Sequence, residues 1–319
     1  MTARAGIRMQ AVRAVRAGRA AGIARAVLAF ILASCLLPAH ALELRILSAG
    51  AVEPGIRPAL AATLLASAAP PLLALELRVL SAGAVEPGMR PALAAFERES
   101  GHAVRIEFAA APALRAALRA PPVADVIVLP QGVVDELAAT GGLGTGVRAP
   151  IGRVGVGVAV RPGVAPPDVG SAESLRAALV GAEHVVFNRA STGIYVEQML
   201  KRLDVEDVVR PKSERVADGA SVMRRLLAGT SPREFGFGAM TEIALFADQG
   251  LKLVGPLPAS LQNFTSYVAV PWPGAKADEP ARTKAVAALM RSLQGAPART
   301  LFVAAGIEPT PKGREKDAP

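Results

Sequence analysis

From Leu75 onward, short apolar runs alternate with stretches of helical period. "LELRVLSA" precedes a helix from about Pro87 to Ser100, "AVRIEF" one around 112–119, and "ADVIVLP" one around 131–140. Strands that alternate with helices in this way predict parallel βαβ units, and so an α/β fold. The glycine-rich "TGGLGTG" closes this part, and "RVGVGVAVRPG" then reads as a strand long enough to pass between two lobes. The pattern resumes with "SAESLRAALV" (helix), "HVVFN" (strand), "STGIYVEQMLKRL" and "DGASVMRRLLAG" (helices), "EFGFGA" (strand), "TEIALFADQ" (helix) and "LKLVGPLP". "NFTSYVAVP" looks like a return strand, and 280–304 is helical throughout. About 235 residues of this pattern fit two lobes better than one. The expected division is 75–149 with 263–310 in one lobe and 150–262 in the other. The charged end, 311–319, is expected to be disordered.

Upstream, the pattern changes. Residues 1–25 carry six arginines (Arg4, Arg8, Arg13, Arg16, Arg19 and Arg25) and no acid, followed by the apolar "AVLAFILASCLL" and then "PAHA". A basic segment, a short apolar segment and a small-x-small end predict a signal peptide over 1–41, cleaved after Ala41. The apolar run is a dozen residues, against the roughly 20 needed to span a bilayer. Cys35, the single cysteine, fits two readings. It is one more residue of the apolar segment, or, in "LASC", the lipidated residue of a lipoprotein. In both cases the exported fold has no disulfide.

The segment "ALELRILSAGAVEPGIRPALAA" from Ala41 recurs 33 positions later from Ala74, differing only at Ile46/Val79 and Ile56/Met89. The repeat extends upstream into targeting sequence, with "ILAS" at 31–34 facing "LLAS" at 64–67. Two copies, one of them containing a leader, point to a tandem duplication rather than a solenoid. The second copy runs unbroken into "AAFERESGHAVRIEF" and is expected to supply the first strand, over 75–81. Residues 42–74 then form an appendage outside the core.

Charge narrows the partners. The formal net charge is +9. Removing the six leader arginines leaves +3, too little to imply nucleic-acid binding, and no basic face with interleaved aromatics is visible. Nor does catalytic chemistry stand out. His102 and His184 lack metal-ligand spacing, no G-x-S-x-G elbow occurs, and no carboxylate is expected at a strand end facing a glycine turn. No enzyme activity, metal or cofactor is expected. Asp125, opening "ADVIVLP", is expected to be structural.

What recurs is a turn of small residues between a strand and a helix: "SAGAVEP" (81–87), "AAAPAL" (109–114), "NRASTG" (188–193) and "GFGAM" (236–240). Helix starts expose unpaired N–H groups, and small side chains let a ligand approach the backbone. In open parallel sheets, ligands sit off the carboxyl ends of the strands. The expected contacts are Ser81, Gly83 and Ala84 in the first turn and Ala111 and Pro112 in the second. In the other lobe they are Ser191, Thr192 and Gly193, with Ala239 and Met240 opposite.

From 75 to about 310 the chain resembles the periplasmic solute-binding proteins of ABC importers, in particular the molybdate-binding-protein-like branch. "LRVLSAGAVEPGMRPALAAFERESGHAV", "ADVIVLPQGVVDELAATG", "RVGVGVAVRPG" and "LVGPLPASLQNFTSYVAV" carry the resemblance. It implies a two-lobed type II periplasmic binding fold, each lobe a mainly parallel sheet flanked by helices, with two crossing strands as hinge. It also implies a periplasmic monomer that captures a small molecule or oxyanion and delivers it to an inner-membrane permease. A ligand-sensing or interaction protein of the same fold, uncoupled from transport, is the alternative. Tetrahedral-oxyanion binders of the family place a Ser in each of the first two turns and a Tyr in the late one. Here Ala84, "AAAP" and Ala239 stand there, and only Ser191 and Thr192 keep hydroxyls, so a ligand other than tightly held molybdate is expected.

Overall fold

The computed structural model describes residues 74–118, 124–143, 147–272 and 279–311. The expected leader (1–41), nearly all of the expected appendage (42–74) and the tail beyond 311 lie outside the described residues.

The second copy of the repeat supplies strand β1 (Glu76–Ala82), which a short 3-10 turn (Gly83–Val85) joins to helix α1 (Glu86–Ser100). Pro87 sits in the first turn of α1, where its missing N–H costs nothing, and Gly101 ends it in the left-handed conformation at φ 71°. There follow β2 (Ala103–Ala109), α2 (Ala111–Ala117), β3 (Val126–Pro130) and α3 (Gln131–Ala139). β1 pairs in parallel with β2 on one side and β3 on the other. β2 lies at the end of the sheet, and its burial alternates along the strand. β3 is internal and buried along its whole length, as the continuous apolar "VIVLP" requires. Asp125 is structural: its Oδ2 accepts from the Arg78 backbone N–H at 2.7 Å and pairs with Arg282 at 2.9 Å.

Strand β4 (Ala149–Val160) is the longest, and its two ends pair with different neighbours. Residues 149–155 pair with the return strand β9 (Phe264–Pro271). Residues 156–160 pair with β7 (Glu234–Ala239) and β8 (Lys252–Pro256). A register shift between Pro150 and Gly152 bends the strand. Gly152 has φ 137°, and a Cβ there would meet the Glu308 carbonyl at 2.6 Å, so glycine is needed at this bend.

The second half contains α4 (Ala172–Gly181), β5 (His184–Asn188), α5 (Ser191–Arg202), α6 (Glu206–Val209), β6 (Ser213–Val216), α7 (Gly219–Leu227) and α8 (Met240–Ala244). α9 (Pro280–Gln294) and α10 (Ala296–Ala304) return to the first half, where α10 packs on α1. The strand order is β2-β1-β3-β9-β4-β7-β5-β6, with β8 on β4. Both halves are mainly parallel away from the middle, and β9, β4, β7 and β8 pair antiparallel around it.

This is the two-lobed type II periplasmic binding fold, with one correction to the expectation of two separate sheets. The hydrogen-bonded path is continuous, because β4 belongs to both halves. The chain crosses between halves a second time over 257–263. There the Gln262 amide donates to the Val156 carbonyl at 3.1 Å and its Oε1 accepts from the Val156 N–H at 3.0 Å, tying the two crossings together. Three local expectations also change. The helical stretch 280–304 is two helices broken at Gly295, "TEIALFADQ" is helical only to Ala244 before a 3-10 turn, and the short α6 and β6 were not anticipated.

Candidate functional site

The turns that follow β1, β2 and β5 meet between the two halves, joined there by Gly219 at the start of α7. They enclose a cavity of about 30 Å³, room for roughly two water molecules. Gly83, Ala84 and Ala111 line it from the first half, with Pro130 and Tyr267; Asn188, Ser191, Thr192, Gly219 and Glu242 line it from the second. Among the described residues, no basic side chain lines it.

Each wall has a local cause. At the end of β5 the buried Asn188 turns its Oδ1 back to accept from the N–H groups of Ala190 (2.9 Å) and Gly193 (3.0 Å). This aims the start of α5, with Ser191 and Thr192, into the cavity. Gly193 is required for that turn, because a Cβ would lie 1.6 Å from the Asn188 carbonyl oxygen. α7 is capped by Asp218, whose Oδ1 accepts from the Ser221 N–H at 2.7 Å, so Gly219 opens the helix against the cavity. The halves also touch directly. The Thr241 hydroxyl donates to the Ala84 carbonyl, and the Ser191 and Thr265 hydroxyls lie beside the buried Tyr267 phenol and favour its charged form. Burial raises the Tyr267 phenol above its ordinary value, and the nearby Glu242 carboxyl raises it further.

Glu242 is the chemically distinctive member. It is the third residue of α8, close to the Ala239 backbone at the start of that helix, which favours its charged form. Its two oxygens also lie against the glycines of both halves. A Cβ on Gly83 would be 2.8 Å from Oε1, and one on Gly219 would be 1.9 Å from Oε2. Burial pushes its carboxyl up to about 7; the charges of Asp218 and Glu86 add to the rise, and the Ala239 backbone opposes it.

Of the residues expected from the turns, Gly83, Ala84, Ala111, Ser191 and Thr192 line the cavity. The others stand behind it or away from it. Ser81 is fully buried and donates to the Ala82 carbonyl, Pro112 is exposed on α2, and Gly193 packs on Asn188. Ala239 is buried at the end of β7, and Met240 packs toward Gly155 and Gly157 of β4. Sequence reasoning missed Tyr267, Asn188, Gly219 and Glu242. The expectation that no carboxylate faces a glycine turn is overturned by Glu242. Its available clue was an acid three positions past the "FGFGA" strand, where a helix N-terminus draws it toward the turn.

The model of the bacterial extracellular solute-binding protein family matches residues 77–308, nearly all of the described chain. The chain belongs to this family. Among curated proteins, it is 27% identical over 228 residues to a Pseudomonas aconitate isomerase, covering 68% of this chain and 81% of the isomerase. Among solved structures, it is similar to the periplasmic molybdate-binding protein of Azotobacter vinelandii, with a TM-score of 0.57 and 19% identity over 72% of this chain and 98% of that one. It is also similar to the sulfate-binding protein of Mycobacterium tuberculosis, with a TM-score of 0.58 and 14% identity over 75% and 88% of the two chains. At these identities the structural likenesses establish the fold. No described helix is long and apolar enough to cross a membrane.

Proposed function

We propose that this protein is exported to the periplasm through residues 1–41, captures a small carboxylate between its halves, and hands it to an ABC importer permease. The halves act as the rigid bodies 75–149 with 263–310, and 150–262. The observation that carries the reading is the cavity itself. It is lined by turns of both halves, so a ligand held there is gripped by both, and at about 30 Å³ the halves must part to admit one. Hydroxyls at Ser191, Thr192 and Tyr267 and the N–H groups at the start of α5 supply donors for carboxylate oxygens. A tetrahedral metal oxyanion suits the walls less well. The first two turns offer it no side-chain hydroxyl. The likeness to an aconitate isomerase supports a carboxylate as the ligand class.

A thermal-shift screen with aconitate, sulfate and molybdate tests this reading. Aconitate at a hundredfold excess over its Kd stabilises the bound protein by about 2.7 kcal/mol, whereas molybdate leaves the melting temperature unchanged. A shift with molybdate alone would contradict the carboxylate reading.

The pair Glu242 and Tyr267 supports a second reading, that of an isomerase. A carboxyl poised near neutrality beside a phenol can remove a proton next to a ligand carboxylate and return it to another carbon. Proton NMR of aconitate incubated with the protein separates the two. A receptor leaves the spectrum unchanged, and an isomerase converts it.

A further inference from the structure

Glu242 is out of place in a site for anions. Its carboxyl touches the turns of both halves at Gly83 and Gly219, the positions where a captured ligand must also approach the backbone. A ligand carboxylate or sulfate in this cavity would bring a second negative charge within a few ångströms of the first. At such a separation two like charges in a site stripped of water cannot both persist, and one group holds a proton.

We propose that Glu242 sets the charge state this cleft accepts: an anion enters together with one proton, which the Glu242 carboxyl and a ligand oxygen then share. The inference rests on the receptor reading above and deepens it. The proton comes from solvent, forms an O–H bond on Glu242, and no bond in the ligand breaks. Among the described residues the surroundings supply no alternative counter-charge. The charges acting on Glu242 are Asp218 at the start of α7 and Glu86 at the start of α1, both negative. Of the cations on those helices, Arg224 lies 3.8 Å from Asp218, Arg90 pairs with Glu86 at 2.6 Å, and Arg225 pairs with Glu214 at 2.7 Å. Elsewhere around α8, Arg153 of β4 pairs with Glu308, Glu234 of β7 pairs with His184 and Arg225, and Lys252 of β8 is exposed. The neighbour on β9 is the neutral Tyr267. The rise of the Glu242 carboxyl to about 7 places proton uptake within the physiological range.

Calorimetric titration with two probes, aconitate and sulfate, from pH 5.5 to 8.5 in buffers of different ionisation heat tests this. Sulfate carries no proton of its own over that range. The wild-type protein takes up one proton per ligand at the alkaline end, and its affinity falls about tenfold per pH unit above 7. Glu242→Gln suits the helix start, because Gln serves at that third position as Glu does. It therefore folds and, with sulfate, takes up no proton and binds with an affinity that is flat in pH. Asp218→Asn, which still caps α7, keeps the tenfold slope and moves the break to lower pH. Proton uptake that persists in Glu242→Gln, or wild-type binding that is flat in pH, overturns the role of Glu242 and leaves the receptor reading standing. No binding of either probe to any of the three proteins overturns the receptor reading, and the role of Glu242 with it.

Discussion

The two halves contribute unlike things to the cavity between them. The turns after β1 and β2 give Gly83, Ala84 and Ala111, which offer backbone and methyl groups only. The turns of the second half give Asn188, Ser191, Thr192 and Glu242, which carry an amide, two hydroxyls and a carboxyl. The first half sets the shape of the cavity, and the second half, with Tyr267 of β9, sets its chemistry. Within the second half there is a further division. Glycine at 193 is demanded by the backbone of its own turn, and glycine at 219 is demanded by a side chain, that of Glu242. The first is a requirement of folding and the second a requirement of the site.

That division can be broken most forcefully at Gly193. Gly193→Ala drives a methyl into the Asn188 carbonyl, which cannot move without breaking the turn, so urea unfolding should show a loss of about 3 kcal/mol. A loss near zero would mean that the β5–α5 turn is loosely held. Next in size is the pH dependence of stability. The Glu242 carboxyl binds its proton more tightly in the folded protein than in the unfolded chain. Its contribution is therefore complete below pH 4.5 and is lost as pH rises through about 7. Between pH 5 and 8 the unfolding free energy should fall by about 1–3 kcal/mol more in wild type than in Glu242→Gln. Equal pH profiles would place Glu242 in contact with solvent.

Tyr267→Phe tests the contact between the halves. It removes the phenol hydroxyl that lies beside Ser191 and Thr265 and should cost about 1 kcal/mol, read as a lower melting temperature. The smallest change in stability is expected at Gly219→Ala. The new methyl meets only the end of the Glu242 side chain, which can swing away, so unfolding should change by less than about 0.5 kcal/mol. Ligand binding should lose its pH slope at the same time, because Glu242 no longer reaches the cavity. A large loss of stability there would erase the distinction from Gly193.

Much of the architecture was legible because it depends on local pattern. β3 reads as an internal strand because "VIVLP" is apolar throughout, and α1 is bounded by a proline at its start and a glycine past its end. The turns at Gly83, Ala111 and Ser191 were found by their small residues. The remaining walls depend on contacts distant in sequence, which no local pattern records. Tyr267 belongs to a strand that reads as core, and it reaches Ser191 only because β9 runs beside the crossing. Glu242 meets Gly83 only through the packing of the second half on the first. The break at Gly295 was overlooked because the apolar period continues across it. The continuity of the sheet through β4 depends on which neighbours one strand takes at each end, and periodicity does not encode that.

The central claim is that the ligand sits between the halves and is held by the chemistry of the second. Calorimetric titration of wild type and of the Ser191→Ala, Thr192→Ala double variant with aconitate, at pH 6, tests it most directly. The account predicts that the double variant loses about 1–3 kcal/mol of binding free energy while its melting temperature without aconitate stays within a few degrees of wild type. Aconitate bound with equal affinity by both proteins would place the ligand elsewhere and contradict the account.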